Sequence, residues 1–444
     1  MSRTLGPDDV LRLTAPAEPQ LSPDGRLVAF TRLAPDPERD RDVGHVWVVP
    51  TAGGEPVRWT AGERGDGAPS WSPDGRRLAF LSAREPGEGA ARQVWVVEAA
   101  GGEARRLTDL PGGVREIAWA PDGSRLACVA VVRPPAEGEA ERARPIVVDR
   151  LGYKADGIGV LAGARAHLFV VALDGGPARQ LTFGESRVSG PAWSPDGAAI
   201  AYSDATHADR DLDQASHVFV VPAAGGQPRR VTSGPGVALC PTWTPDGRRL
   251  VFIGRPRADH LMNGLHVVDA AGGRSVPLLP GFDRTVMAGA PAYPGGPPRV
   301  DADGRVTFCA RIGGCVHLFR AGLDGGVVEP LVTGDDRVVS GFSPAGGAIA
   351  FVASDACQPG DVFLRGADGA ELRLTELNRE LLAEAPPVRP ERRVFTAPDG
   401  VQVEAFVYRP GGGGRAPLLL DVHGGPHNAF AAALTGAYLY RQEL

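Results

Sequence analysis

The sequence has little of what would direct a protein to nucleic acid or to a membrane. Its 444 residues carry 47 basic and 53 acidic side chains, a net charge of −6, so there is no excess of positive charge for a polyanion. No run of about 18 uninterrupted apolar residues occurs, and the first residues lack the apolar core of a secretory signal. We therefore expect a cytoplasmic protein that uses neither nucleic acid nor a membrane as a partner.

Cysteine and lysine are also scarce. The five cysteines are scattered and form no C-x-x-C pair: Cys128, Cys240, Cys309, Cys315 and Cys357. This distribution predicts reduced, mostly buried thiols, with a bond between the near neighbours Cys309 and Cys315 as the less favoured alternative. Lys154 is the single lysine, and the arginines are spread evenly, which is a matter of composition and does not indicate a binding patch. No sequence pattern calls for a cofactor.

Turn residues, in contrast, are abundant, with 60 glycines and 41 prolines. The clearest turn is Trp-Ser-Pro-Asp-Gly at residues 71–75, where proline suits the second position of a type I turn and glycine suits a left-handed position after it. Such a turn joins two antiparallel strands. Copies occupy residues 21–25, 71–75, 119–123, 193–197, 243–247, 300–304 and 342–346, and the one at 300–304 is degenerate.

A second marker lies between these turns. An apolar strand such as Val-Trp-Val-Val at 94–97 leads into a glycine turn, and a short strand ending in threonine, such as Arg-Leu-Thr at 106–108, follows. Each unit then holds four strands over about 50 residues, which is typical of propeller blades. Seven copies predict an all-β, seven-bladed β-propeller whose marker tryptophans pack between blades; ligand stacking is the weaker alternative.

One repeat is stretched by an insert that begins at Arg133 and continues through residues 147–157. Long loops on propellers often carry function, although most are only solvated. In the next repeat Asp209, Asp211 and Asp213 resemble the start of a calcium loop but lack its glycine and distal glutamate. We favour a solvated loop there and expect no metal site.

The repeats stop after Thr375. Residues 376–392 predict a short helix followed by a proline-rich linker, and Pro-Asp-Gly at 398–400 repeats the turn chemistry without starting an eighth blade. An alternating strand at 401–408 and an apolar strand at 417–420 then lead to Asp-Val-His-Gly-Gly-Pro-His at 421–427. Glycines after a buried strand let backbone N–H groups approach a developing oxyanion. The alternative is a plain strand and turn with a core histidine; a metal pair of His423 and His427 is disfavoured by the Gly-Gly-Pro between them.

With these motifs the chain resembles the prolyl oligopeptidase family of serine peptidases, and within it the acylaminoacyl-peptidase-like branch. The resemblance is carried by the Ser-Pro-Asp-Gly repeats, by residues 148–157 of the insert and by Leu-Asp-Val-His-Gly-Gly-Pro-His at 420–427. It implies a propeller that caps a C-terminal α/β-hydrolase domain and limits access to short peptides. It also implies a Ser-His-Asp triad, and an oxyanion loop of His423, Gly424 and Gly425 in which the Gly425 amide holds the oxyanion.

The sequence departs from that family in one respect. It contains no G-x-S-x-G nucleophile elbow, and none of its nine histidines stands where the triad base is expected. We therefore expect the N-terminal portion of a peptidase, inactive by itself because the triad is missing from the chain.

The expected domains are an N-terminal segment (1–20), the propeller (21–376), a linker (377–392) and the truncated start of the hydrolase domain (393–444). The main alternative is a non-catalytic propeller that binds peptides or proteins. A propeller of the periplasmic translocation type is disfavoured by the lack of a signal peptide. Peptide specificity and oligomeric state do not follow from the sequence.

Overall fold

The computed structural model describes residues 3–85, 91–133, 147–148, 150–155, 159–161, 163–213, 215–234, 236–257, 262–290, 293–409, 416–424 and 429–442. Its regular structure is almost entirely β, which confirms the expected all-β class. The helices of the described residues are a 3-10 helix at Pro7–Arg12, the α-helix α1 at Arg379–Glu384 and a 3-10 helix at Gly436–Gln442. None of them is long and apolar enough to span a membrane.

Five antiparallel sheets of four strands follow one another along the chain. Sheet 1 contains β1 (Ala15–Leu21), β2 (Leu27–Asp36), β3 (Arg41–Pro50) and β4 (Val57–Arg58), and sheet 2 contains β5 (Asp66–Trp71), β6 (Arg77–Ser82), β7 (Gln93–Glu98) and β8 (Arg105–Arg106). Sheet 3 contains β9 (Val114–Trp119), β10 (Arg125–Val132), β13 (Arg165–Ala172) and β14 (Arg179–Gln180), with a ribbon of β11 (Lys154–Ala155) and β12 (Gly159–Val160) between its second and third strands. Sheet 4 contains β15 (Ser189–Trp193), β16 (Ala199–Asp204), β17 (His217–Pro222) and β18 (Arg229–Arg230), and sheet 5 contains β19 (Val237–Trp243), β20 (Arg249–Arg255), β21 (Gly264–Asp269) and β22 (Val276–Pro277).

An eight-stranded sheet, sheet 6, completes the series after a ribbon of β23 (Ala288–Ala290) and β24 (Tyr293–Gly295). Its first half is β25 (Arg299–Val300), β26 (Arg305–Ile312), β27 (Cys315–Gly322) and β28 (Gly325–Val332), and its second half is β29 (Val338–Ala345), β30 (Ala348–Asp355), β31 (Gln358–Arg365) and β32 (Glu371–Arg373). A single parallel bridge from Val316 to Val338 joins the halves. The chain then forms the separate hairpin of β33 (Glu391–Thr396) and β34 (Gln402–Val407).

The hydrophobic cores lie between neighbouring sheets. One core combines Val46 of sheet 1 with Trp71 and Phe80 of sheet 2. Another combines Phe30 of sheet 1 with Val362 of sheet 6, so the first and last sheets also pack against each other. Since each sheet buries its faces against two neighbours, the closed succession of sheets is the unit of stability.

The repeated turn has the predicted chemistry. At residues 71–75 the Ser72 hydroxyl donates to the Asp74 carboxylate at 2.5 Å, and Gly75 takes a positive φ of 69°. In the degenerate copy Asp301 replaces the serine and accepts the amide of Arg305 at 2.9 Å. A side-chain oxygen therefore holds the turn in both of these copies. The copy at 119–123 has Ala120 at that position and forms the turn with backbone hydrogen bonds, from the Gly123 amide to the Ala120 carbonyl and from the Ala120 amide to the Arg125 carbonyl.

The copy at residues 342–346 is different, and its assignment as this turn is wrong. β29 and β30 stay paired as far as Ala345 and Ala348, which leaves Gly346 and Gly347 as a two-residue connection. Both glycines have positive φ, 56° and 81°, as a type I′ hairpin requires. The position of the turn aspartate is occupied here by Ala345, which supplies no carboxylate, while the second glycine permits the tighter connection.

The marker tryptophans lie between sheets, as predicted, and each donates its indole N–H to the preceding sheet. The bonds run from Trp71 to the Gln20 carbonyl, from Trp119 to Ser70, from Trp193 to Ala118 and from Trp243 to Ala192, at 3.0–3.2 Å. Sequence reasoning predicted the packing of these indoles but not their hydrogen bonds.

In most repeats, the threonine that ends the short outer strand hydrogen-bonds to the third strand of its sheet. The buried Thr182 hydroxyl accepts the amide of Leu168, the first residue of the apolar run in β13, at 2.9 Å. The same bond recurs from Val46 to Thr60, Val94 to Thr108, Val218 to Thr232 and Val362 to Thr375. Threonine ends the short strand in these repeats because its side chain replaces a ladder partner.

The last part of the chain lies against sheet 6. The Gly314 amide, in the β26–β27 connection, donates to Glu404 at 3.1 Å. The amide of Leu434 donates at 2.8 Å to the carbonyl of Asp355, the last residue of β30. A small core joins this part to the N-terminal segment through Leu5, Leu13, Leu381, Ala385, Leu434 and Leu439. Both ends of the described chain are therefore packed together.

The apolar strand expected at 417–420 is not formed. Residues 416–423 belong to no strand of the described structure, and Leu418 is 91% exposed. A strand that is apolar on both faces needs neighbouring strands and covering layers, and none of the described residues provides them here.

Candidate functional site

The candidate site is the segment of residues 418–424, which follows the β33–β34 hairpin. Its two ends differ. Leu418, Leu419, Leu420 and Val422 are 71–91% exposed. The Asp421 side chain is 34% exposed and is held by an ion pair. The segment therefore presents an apolar run that is anchored at its C-terminal end.

Arg441, in the last 3-10 helix, forms that anchor. Its Nη2 and Nε donate to Oδ2 of Asp421 at 2.6 and 3.2 Å, and its guanidinium lies over the ring of Phe430, 4.1 Å from the centroid. Asp421 precedes the predicted oxyanion loop and Phe430 follows it. Tyr408 lies beside Arg441, and burial raises the pKa of its phenol although Arg441 acts in the opposite direction.

His423 and Gly424 occupy the start of the predicted loop. The His423 ring packs edge to face on Phe430, with centroids 5.6 Å apart, and its Nδ1 lies 3.0 Å from the Gly424 carbonyl oxygen. Among the described residues, and apart from the chain neighbours of Gly424, no heavy atom lies within 4 Å of the position that a Gly424 side chain would occupy. Gly425, together with Pro426 and His427, lies outside the described residues, so the role of its amide stays a prediction.

Histidines elsewhere in the described chain have structural partners. His167 contacts the Thr182 hydroxyl through Nδ1 at 3.2 Å, His207 pairs with Asp213 at 2.8 Å, and His317 bonds to the Gly334 carbonyl. Within the described ranges, no histidine ring is hydrogen-bonded to a serine hydroxyl.

One set of polar residues was missed from the sequence. They stand immediately before the apolar run of the third strand in sheets 1 to 4 and in both halves of sheet 6: His45, Gln93, His167, His217, His317 and Asp361. Sheet 5 has Gly264 at this position. Most are buried, and burial lowers the pKa of His217 to about 4. Their recurrence at one position of the repeat is the signal that could have found them.

Ion pairs hold the loop that contains Asp209, Asp211 and Asp213, and other ion pairs hold the insert. Asp211 binds Arg187 at 2.8 Å, while Asp213 binds His207 and the Ala215 amide. Across the described ranges, no group of three or more His, Cys, Asp or Glu side chains is arranged to hold a metal ion.

The insert reaches the same surface through Arg150, which shares Glu185 with Arg165 and Arg210 at 2.6–2.7 Å. Of the insert segment 148–157, residues 149 and 156–157 lie outside the described residues.

Several proteins of known structure share this fold. The acylaminoacyl peptidase of Pyrococcus horikoshii is 20% identical with a TM-score of 0.79, over 99% of this chain and 65% of that protein. A Mycobacterium tuberculosis puromycin-hydrolyzing peptidase is 20% identical with a TM-score of 0.70, over 100% of this chain and 67% of its own. The β-propeller domain of the Trilobed protease from Pyrococcus furiosus is 17% identical with a TM-score of 0.58, over 82% of this chain and 99% of that domain.

Detectable sequence similarity to a curated relative covers a smaller part of the chain than the structural similarity does. The uncharacterized peptidase YuxL of Bacillus subtilis (strain 168) is 29% identical over 212 residues, which are 46% of this chain and 31% of that protein. No family model matches the chain. The chain thus spans about a third of the curated relative and 65% of the P. horikoshii peptidase. The resemblance to propeller-containing peptidases of the prolyl oligopeptidase type, seen in the motifs, is confirmed by these relatives and neighbours.

Proposed function

We propose that this chain is the propeller and the first part of the catalytic domain of a serine peptidase that hydrolyses short peptides. The sheets would form a seven-bladed propeller over residues 21–376, with the two halves of sheet 6 as separate blades. Residues 393–444 would begin an α/β-hydrolase domain, and the propeller would restrict which peptides reach it. The Ser-His-Asp triad would come from further sequence of the complete protein.

The segment 418–424 is the observation that carries this proposal. An exposed apolar run that leads into Asp-Val-His-Gly suits a strand whose sheet partners lie in the rest of a hydrolase domain. Arg441 already holds the end of that run next to the loop. The fold shared with the P. horikoshii acylaminoacyl peptidase over 99% of this chain and 65% of that protein supports the same interpretation.

In the complete enzyme the loop would act on the transition state. Attack of a serine hydroxyl on the peptide carbonyl places negative charge on the carbonyl oxygen, while a histidine takes the hydroxyl proton and returns it to the leaving amine. The Gly425 amide would donate to that oxygen, and loss of one such donor costs about 10²- to 10³-fold in kcat. Water would then release the acyl group from the serine.

The test compares two proteins. One is this chain by itself, and the other is the longer protein that is encoded when any adjoining coding sequence is included. We expect the longer protein to hydrolyse short peptide nitroanilides and to be labelled by a fluorophosphonate, and this chain to do neither.

Gly425→Pro removes the amide N–H and should abolish turnover, whereas Gly425→Ala keeps the donor and should retain more activity. Labelling of this chain by itself would overturn the proposal. A gene that encodes no nucleophile elbow would favour the alternative of a propeller that only binds peptides or proteins.

A further inference from the structure

The first strands of the sheets form a closed ring around an axis. Contacts run from β1 through β5, β9, β15 and β19 to β25, and from β24 through β29 back to β1. β24 and β25 are consecutive strands separated by residues 296–298, which completes the ring. Each first strand pairs with the second strand of its sheet, so its other edge borders the axis.

One position of the repeat lines this axis. It stands directly before the five-residue turn segment and is occupied by Gln20, Ser70, Ala118, Ala192, Thr242, Arg299 and Gly341. None of these residues is buried, although the strands that carry them lie inside the ring. The position therefore faces an axial channel. Arg299 supplies the single charge at this position, and it is exposed.

The other charged residues of the first strands have a compensating group. They are Glu18, Asp66, Arg115 and Glu116. Glu18 accepts the Ala68 amide of the next sheet at 2.7 Å, and Glu116 accepts the Gly190 amide at 2.8 Å. Asp66 binds Arg84 at 3.1 Å. Burial raises the pKa of Glu116, and the charge of the adjacent Arg115 opposes that shift.

Arg299 has no such group. Its guanidinium forms no hydrogen bond or ion pair with any described residue. The titratable group that acts on Arg299 is the Cys240 thiol of sheet 5, and burial raises the pKa of that thiol to about 11, so it is neutral at pH 7. Burial also lowers the pKa of Arg299, although its side chain is exposed. Both hold for a side chain in a water-filled channel, which protein surrounds.

We propose that Arg299 binds the carboxylate of a short peptide inside the axial channel. A guanidinium offers two parallel N–H donors to a carboxylate, and the pair is stronger where protein replaces part of the surrounding water. A partly desolvated charge without a partner is unfavourable, and the ligand would supply the missing counter-charge. That the ligand is a peptide rests on the proposed function, whereas binding of a carboxylate does not.

Calorimetric titration of the 444-residue chain at low ionic strength tests the site without turnover. Acetyl-trialanine, which ends in a carboxylate, should bind, and its C-terminal amide should not. Arg299→Gln should weaken binding of the acid by about 10- to 100-fold, the usual effect of losing hydrogen bonds between charged groups. Arg299→Lys keeps the charge but loses the planar pair of donors, so its affinity should be intermediate.

The matched control is Arg305→Gln, which removes an arginine of the same sheet that pairs with Glu329. It should leave binding unchanged. Urea denaturation separates a binding role from a structural one. Arg299→Gln should unfold no more easily than the wild type, because the lost charge has no partner. The acid peptide should raise the urea midpoint of the wild type and leave that of Arg299→Gln unchanged.

Several outcomes would overturn the inference. They are equal binding of the acid and the amide, unchanged binding in Arg299→Gln, and easier unfolding of that variant. Sodium acetate that binds as tightly as the peptide would show a general carboxylate site and exclude the peptide assignment. If the longer protein lacks peptidase activity, the proposed function fails and the titration still decides the role of Arg299. An active longer protein together with no binding by this chain would reject this inference alone.

Discussion

The indole nitrogen of Trp119 donates to the backbone carbonyl of Ser70, 3.0 Å away in the preceding sheet. Ser70 immediately precedes Trp71, the equivalent tryptophan of that sheet. Trp71, Trp193 and Trp243 make the same bond one sheet back. The repeated residue therefore sets the register between neighbouring sheets as well as filling the space between them.

Replacing Trp119 by phenylalanine should reveal the contribution of this bond. Phenylalanine keeps an aromatic ring but cannot donate, so we expect the free energy of unfolding to fall by about 1–2 kcal/mol. Urea denaturation followed by circular dichroism measures the change.

Trp95→Phe is the matched control, since the buried Trp95 indole nitrogen has no hydrogen-bond partner among the described residues. It replaces an indole by a phenyl ring without losing a hydrogen bond and keeps an aromatic face for the Arg84 guanidinium, 4.6 Å from the Trp95 ring centroid, so its effect should be smaller. Equal effects of the two substitutions would show that packing alone accounts for the role of Trp119.

The threonine that ends the short strand gives a second prediction. Thr182→Val is nearly isosteric but leaves the amide of Leu168 without its acceptor, and an unsatisfied buried group costs about 1–3 kcal/mol. Thr182→Ser keeps the oxygen and should lose much less stability. The two variants are compared by chemical denaturation, and a valine variant as stable as the serine variant would contradict the prediction.

Local chemistry explains which features the sequence could predict. The turn at 71–75 carries its own hydrogen-bond partners, Ser72 and Asp74, so its conformation is visible in five residues. The connection at Gly346 and Gly347 was misassigned because proline and serine nearby imitate that turn, while pairing of β29 with β30 decides the outcome.

The site was harder to predict because its contacts are distant in sequence. Asp421 and Arg441 are 20 residues apart, and no local pattern links them. Residues 417–420 have the composition of a buried strand, yet a strand forms only where a partner exists. For Gly425 the sequence motif is the sole support for a role.

Stability should fall with acid in a window set by His217. Burial holds the pKa of this histidine at about 4, below its usual value near 6.5, with the positive charge of Arg230 acting in the same direction and Asp213 opposing it. Between these values the unfolded chain binds a proton that the folded chain does not. The contribution of His217 is therefore present above about pH 6.5 and is lost as the pH falls toward 4, by up to about 3 kcal/mol.

Comparing the wild type with His217→Gln at pH 7.5 and pH 5 isolates this group, because glutamine occupies the equivalent position of sheet 2 as Gln93. The variant should lose less stability between the two pH values. The paired residue Asp204 acts oppositely, since burial raises its pKa and its contribution is lost as the pH rises; it is present in both proteins. Identical pH dependence of the two proteins would exclude His217 as the source.

The exposed apolar run should make the 444-residue chain prone to association. Leu418, Leu419 and Leu420 have no partner strand in the described structure and face solvent, and exposed apolar patches favour contacts between molecules. Changing all three to serine should reduce binding of a hydrophobic dye and self-association in sedimentation experiments. Val327→Ser, at an isolated exposed valine in β28, should change neither.

Hydrogen exchange tests the same run in the wild-type monomer. The amide hydrogens of residues 418–420 should exchange far faster than those of β26 and β30, because few backbone groups at 418–420 are paired. Protection equal to that of the sheets would mean that the run already has a partner within this chain.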